Sequence, residues 1–346
     1  MSFKDVIGHD RPIALLKRAI ANDKVFHSYL FTGSEGIGKK WLAFQFAKAL
    51  NCLKREIAEA DACDRCLSCR KIDEALHPDV LFLEPEGSSQ LIRVEAIRQF
   101  QRDLAFRPYE GRYRVCILTT ADRMAPDMSN TLLKTLEEPP LHTVIILLAQ
   151  SARGILPTIL SRCQQIRFNP LPLLSLTQWL MEKRNLGEEE AHLLAALSDG
   201  SPGKAVTLQE EILKIRRKEI LREWFGTRAL SFMEIEEWID SMPSKGWEDL
   251  IFILEVAKTL LRDLVVLKVS GDEEKLIHTD LVDELRALCS ERDLSSLLAQ
   301  LESIQQTRVT LVPEPRIVNT ALALEAMMLS WAGEALGEEN DSTCPR

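Results

Sequence analysis

The sequence contains no uninterrupted apolar run approaching the roughly 18 residues that a membrane-crossing helix needs. Its opening residues, MSFKDVIGHD, have no basic start followed by an apolar stretch, so a secretory signal is not expected. Together these absences make the cytoplasm the expected address, with no membrane partner. Surplus positive charge is missing too: 43 Lys and Arg against 52 Asp and Glu leave a formal net charge of -9. A chain of that sign does not hold nucleic acid through its overall field, so any contact with DNA has to be local or made through other proteins. There is no internal repeat in the range of roughly 20–50 residues and no low-complexity run.

What is present suits a soluble globular protein: 46% hydrophobic and 27% charged residues. At 346 residues the chain is too long for one ordinary core and suggests two or three domains. Its eight cysteines, in a cytoplasmic protein, point to thiols or metal ligands rather than disulfides.

The first half alternates short β-rich runs with amphipathic helices. Strands are expected at Ser28–Thr32, Val80–Leu83, Arg114–Thr119, Thr143–Ala149 and Gln165–Phe168. Most are near-continuous apolar runs, as for parallel strands covered on both faces. Helices are expected at Lys39–Leu50, Val94–Ala105 and Ser129–Leu136. This alternation predicts a doubly wound α/β domain over residues 1–169. Asn169-Pro170-Leu171-Pro172 then reads as a hinge, and the β signal ends. A small helical lid is expected over 170–208, where the helix stoppers Ser198–Gly203 precede a new helix at Lys204. Long amphipathic helices over 209–335 form an all-α third domain, with Ile317, Ala321, Leu324 and Met328 recurring on one face. Residues 336–346 read as a polar, flexible tail.

Residues 32–40, TGSEGIGKK, follow the first strand and open the next helix. Gly33, Gly36, Ile37, Gly38 and Lys39 make the phosphate-cradling pattern G-x-x-x-x-G-K, in which backbone N–H groups converge on phosphate oxygens and the lysine reaches the terminal phosphates. The pattern breaks at Lys40, where a Ser or Thr hydroxyl would meet magnesium. Hydrolysis also needs an acid at the end of a second buried strand and, in many such enzymes, a neighbouring Glu. Thr119 and Thr120 stand there instead. Asp122 lies further along and reads as an N-cap of the following helix. ATP or ADP binding is therefore one open reading, with the Lys40 ammonium in place of Mg2+; a drifted, empty pocket is the other.

Cys52, Cys63, Cys66 and Cys69 form C-x10-C-x2-C-x2-C within the same domain. Two-residue spacers aim successive thiolates at one ion, and four thiolates suit a closed, structural Zn2+ site with no open position for catalysis. His77 competes as a ligand, but His77-Pro78-Asp79 reads more simply as shaping the start of the second strand. Cys116, Cys163, Cys289 and Cys344 are scattered.

These motifs together resemble the bacterial clamp-loader AAA+ proteins of DNA polymerase III. The resemblance rests on His27-Ser28-Tyr29-Leu30-Phe31, the four-cysteine insert at about 52–69, His77-Pro78-Asp79, Leu132-Leu133-Lys134-Thr135-Leu136-Glu137-Glu138-Pro139-Pro140, Ser161-Arg162-Cys163 and Arg316-Ile317-Val318-Asn319. It implies an AAA+ P-loop domain, a helical lid and a helical collar in a hetero-oligomer with gamma/tau and delta subunits. Such a complex acts on the sliding clamp and, through it, on primed DNA, as part of the DNA-directed DNA polymerase holoenzyme.

Within the family the gamma/tau subunit is the ATP-hydrolysing motor and the delta-prime subunit a stator with an inactive or missing nucleotide site. The sequence departs from the motor at Lys40, Thr119 and Thr120, and at Gly203, where the motor's lid offers an arginine. The resemblance to the stator implies that Arg162 acts in trans as an arginine finger in a partner's ATP site. It also implies that backbone around Val6, Ile7 and Gly8 cups an adenine ring, although Val6 and Ile7 equally suit a plain core. Gln150 or Ser151 falls at the phosphate-sensing position, and Leu132–Pro140 reads as helix packing and a proline stop. The alternatives are an active gamma/tau-type motor with an unusual magnesium arrangement, and a stand-alone zinc-dependent DNA-binding protein. The acidic balance and the absence of a basic helix count against the latter.

Overall fold

Five parallel strands lie in the order β2-β3-β4-β1-β5, with β1 Ser28–Thr32, β2 Val80–Leu83, β3 Arg114–Leu118, β4 Thr143–Ala149 and β5 Gln164–Arg167. The computed structural model describes residues 2–54, 60–84, 102, 106–124, 126–208, 210–225, 233–234, 237, 247–311 and 322–331. Every residue of β1, β3 and β4 is buried. The period-2 alternation of a strand sends their side chains to two cores. Tyr29, Phe31, Val115, Ile117 and Ile146 enter one, and Leu30, Cys116, Leu118, Ile145 and Leu147 the other.

Helices close both faces. α1 (Asp10–Ala21) and α2 (Lys39–Asn51) supply Leu16, Leu42 and Phe46 to the first core. After the short α3 (Leu67–Asp73), α4 (Pro126–Glu137) supplies Leu132 and Leu136 to the second. α4 begins on a proline, whose missing N–H is harmless in a first turn, and it ends just before Glu138-Pro139-Pro140. The expected doubly wound α/β domain is thus formed.

Two expectations shift at strand ends. β3 stops at Leu118, although the Thr119 N–H still reaches the Leu83 carbonyl at 3.0 Å. β5 lies one residue earlier than Gln165–Phe168, with the Phe168 N–H donating to the Thr32 carbonyl at 2.7 Å. The helix expected at Val94–Ala105 lies, except for residue 102, outside the described residues, as does Arg316–Asn319.

Beyond α4 the chain runs through α5 (Pro157–Leu160), α6 (Leu173–Arg184), α7 (Glu188–Leu197), α8 (Pro202–Thr207), α9 (Glu210–Trp224), α10 (Trp247–Ser270), α11 (Val282–Glu291) and α12 (Leu294–Leu311). A further helical stretch covers 322–331, where Leu324 and Met328 are buried as their spacing predicts. The chain divides into two compact units, Met1–Trp179 with Ser198–Val206, and Leu180–Leu197 with Thr207–Arg346. In the second unit α10 packs along α12 and α11. Its core is closed by a buried polar knot in which Arg217 meets His278 Nδ1 at 3.1 Å and both carboxylate oxygens of Asp280. Among the described residues no helix is long and apolar enough to cross a membrane.

Candidate functional site

A cavity of about 490 Å³ opens at the carboxyl ends of β1, β3 and β4, the usual ligand position of an open α/β sheet. Glu35, Gly36, Gly38, Lys39 and Lys40 form one wall, and Thr119, Thr120, Asp122 and Gln150 face them. Gly36 has φ +71, and a Cβ there would lie 2.6 Å from Ser201 Oγ, so both conformation and space demand glycine.

The two loop lysines are held by the chain itself. Lys39 Nζ donates to the Gly33 carbonyl and, at 2.8 Å, to that of Ser34. Burial lowers the Lys39 pKa, against the opposing charges of Asp122 and Glu35. Lys40 pairs with Glu84, one residue past β2. Its ammonium is thereby drawn to a carboxylate of the sheet edge.

Both threonine hydroxyls are turned to backbone carbonyls. Thr120 Oγ1 donates to the Thr119 carbonyl at 2.8 Å, and Thr119 Oγ1 leans on the Leu83 carbonyl at 3.4 Å. Asp122 corrects an expectation: it is not an N-cap but sits inside a 3-10 turn, Ala121–Arg123, whose cap is Thr120 in the left-handed region. That turn swings its carboxylate into the cavity wall, where Oδ2 accepts the Gln150 N–H at 3.0 Å. Gln150 in turn donates from Nε2 to Glu35 at 3.2 Å, whereas Ser151 caps the turn at Ala152–Gly154. Of the two sensor candidates, only Gln150 lines the cavity.

Other candidates fall elsewhere. Ile37 is buried, with its carbonyl 2.8 Å from His9 Nε2. Val6 and Ile7 do not line the cavity; Val6 packs against the first core. Gly203 N–H donates to the Gly36 carbonyl and Ser201 Oγ to the Glu35 carbonyl, both at 2.8 Å. A Cβ on Gly203 would lie 2.7 Å from Gly36 Cα, so the backbone contact itself excludes a side chain there.

Cys52, Cys63, Cys66 and Cys69 bring their sulfurs within 4.8 Å of one another, forming a group able to hold a metal ion. Cys52 Sγ accepts from the Cys63 N–H and Cys66 Sγ from the Cys69 N–H, each at 3.4 Å. Burial opposes ionisation of Cys66, but backbone N–H groups of Cys69 and Leu53 hold its thiol down to about 6. Tetrahedral Zn–S bonds of about 2.3 Å would need sulfurs about 3.8 Å apart, so a small contraction closes the site. His77 stands outside this group; its Nδ1 accepts the Asp79 N–H at 3.1 Å ahead of β2.

Lys48 was not anticipated. It lies on the buried side of α2, and its Nζ reaches Asp64 at 2.6 Å, between Cys63 and Cys66, and Asp73 at 2.7 Å. Its partners lie 16 and 25 residues further along the chain, too far for the sequence to announce them.

Arg162 follows α5. Nη1 donates to the Thr158 carbonyl at 2.9 Å and to Ser161 Oγ at 3.2 Å, and Nη2 lies 2.9 Å from Glu137 Oε1. Its own carbonyl accepts from Ser28 Oγ at 2.6 Å. Burial pushes the neighbouring Cys163 thiol up to about 11.

The family described as "DNA polymerase III, delta subunit" matches residues 8–172, and its "C terminal" counterpart matches 248–333. DNA polymerase III subunit delta' of Pseudomonas aeruginosa is 32% identical over 315 residues, which cover 88% of this chain and 92% of that protein. The chain belongs to the delta-prime family of bacterial DNA polymerase III clamp-loader AAA+ proteins. The Bacillus subtilis subunit delta' is 29% identical over 305 residues, 86% of this chain and 89% of the relative. Similarity extends to subunit tau of the same species, 29% identical over 315 residues, 88% of this chain but 52% of tau. The chain is therefore a clamp-loader component, and its fold is the expected α/β domain followed by helices.

Proposed function

We propose that the protein is the stator of the DNA polymerase III clamp loader, assembled with gamma/tau and delta subunits, without ATPase activity of its own. The observation that carries this reading is the phosphate loop. It keeps the glycines and Lys39, but Lys40 replaces the magnesium-binding hydroxyl and is paired with Glu84, while Thr119 and Thr120 replace the acids. Phosphoryl transfer by P-loop enzymes needs those groups to place a metal and a water. A nucleotide held by Gly33, Gly36, Gly38, Lys39 and Lys40 would thus be bound with little use of Mg2+ and not turned over.

Arg162 supplies a partner instead. It is about one-third exposed at the end of the α/β unit and enters the ATP site of a neighbouring gamma/tau subunit, stabilising charge on the γ-phosphate. Fingers of this kind raise rates by roughly 10³–10⁵. The four cysteines hold a structural Zn2+, fastening α3 to the end of α2. ATP binding by the assembly then opens the sliding clamp and places it on primed DNA.

Steady-state ATP hydrolysis tests this reading. The chain alone is expected to be silent. A mixture with gamma/tau, delta, clamp and primed DNA is expected to be active and to lose most of its rate with Arg162→Ala. Similarity to tau favours a second reading, an active motor. Turnover by the chain alone would establish that one and reject the stator.

A further inference from the structure

We propose that Glu137 and Ser28 are positioning residues for the Arg162 finger, an inference that rests on the trans role of Arg162. Three segments far apart in sequence meet at this one arginine. Ser28, buried at the start of β1, donates to the Arg162 carbonyl at 2.6 Å. Glu137, the last residue of α4, meets the guanidinium at 2.9 Å. The Thr158 carbonyl and Ser161 Oγ take further N–H groups from within the same turn of chain.

An arginine in the turn just past a four-residue helix has many rotamers, and only a fraction of them would point into a neighbouring site. Any device that fixes one rotamer raises the competent fraction by the same factor. The contacts above use three of the five N–H donors of a guanidinium and fix its plane at both terminal nitrogens. Ser28 fixes the backbone from which the side chain springs. Glu137 is itself held in place: its helix is anchored by Leu132 and Leu136 in the second core and stops at the paired prolines that follow.

Stability alone does not explain this arrangement. Glu137 is half exposed, and ion pairs of that exposure contribute little to folding. They do orient. The segment Leu132–Pro140 therefore has a task beyond packing, since it carries the carboxylate that aims Arg162.

The experiment is ATP hydrolysis by the full assembly with primed DNA, comparing native chain, Glu137→Ala, Glu137→Gln, Ser28→Ala, Arg162→Ala and the Arg162→Ala/Glu137→Ala pair. Glu137→Ala is expected to lower kcat about fivefold or more and leave KM for ATP within about twofold, because the finger acts in the transition state. Glu137→Gln, which keeps an acceptor oxygen, should retain more activity than Glu137→Ala, and Ser28→Ala should lower kcat in the same way. On the Arg162→Ala background the loss of Glu137 should change nothing further. Native rates for Glu137→Ala, an equal loss on both backgrounds, or failure of that variant to assemble on gel filtration would each overturn the proposal while leaving the finger intact. An unaffected rate in Arg162→Ala alone would instead remove the finger, and this inference with it.

Discussion

Gly203 and Gly36 meet backbone to backbone: the Gly203 N–H donates to the Gly36 carbonyl at 2.8 Å, and a Cβ on Gly203 would fall 2.7 Å from Gly36 Cα. The position at which the resemblance expects an arginine in a motor subunit is here pressed against the phosphate loop.

Gly203→Ala should therefore destabilise the first unit, by about 1–3 kcal/mol for an overpacked backbone contact. Urea denaturation followed by the α/β unit's hydrogen exchange would check it. Gly203→Arg should displace residues 198–206 without conferring ATP hydrolysis on the isolated chain; a gain of turnover would mean that the loop needs only this arginine to act.

The lysines of the loop are neutralised from within, Lys40 by Glu84 and Lys39 by its proximity to Asp122 and Glu35. Glu84→Gln with Asp122→Asn should raise the affinity for ADP, and removal of each opposing charge near the surface is worth about 1 kcal/mol, or roughly fivefold. Trp41 lines the cavity and serves as the fluorescent reporter. Affinity should be the same in EDTA as in Mg2+; steep magnesium dependence would mean that a metal site exists after all.

Metal analysis of the purified chain should return one zinc per molecule, lost on Cys69→Ser. Lys48→Met should release zinc faster to a chelator, because Asp64 of the cysteine knuckle loses its buried partner. Thermal unfolding of the first unit should fall in both variants, since binding free energy of a structural zinc is folding free energy.

Acid should weaken the second unit through His278. Burial and the Arg217 charge lower its pKa from 6.5 to about 3, and Arg217 donating to Nδ1 leaves Nε2–H to donate to Thr259. An unfolded imidazole takes up a proton below about 6.5, whereas His278 in place stays neutral. The unfolded chain thus gains protons the folded chain lacks, and stability falls as pH drops from about 6.5 towards about 3. His278→Gln keeps an acceptor and a donor for the same partners, so it should remove one proton from that slope, at most about 1.4 kcal/mol per pH unit. Denaturation at pH 7, 6 and 5 would show it as a smaller loss than in the native chain.

The strands and the cysteine site were legible because their signals are local. An apolar run such as Thr143–Ala149 has to be covered on both sides, and cysteines two residues apart bring their sulfurs together wherever the knuckle lies. The broken loop at Lys40 and the paired threonines were legible for the same reason. Asp122 reads as an N-cap in the sequence because a carboxylate before a helix fits that role, and only the left-handed Thr120 shows that the cap lies two residues earlier.

By itself, then, the sequence determined the alternating elements, the spacing of the four cysteines and the lysine and threonines at positions 40, 119 and 120, all matters of residues close along the chain. Tertiary structure alone decided who meets whom: Lys40 with Glu84, Gly36 with Gly203, and Ser28, Glu137 and Arg162 with one another. Such pairs depend on where distant segments come to rest, and a polar side chain carries no periodicity that announces its partner.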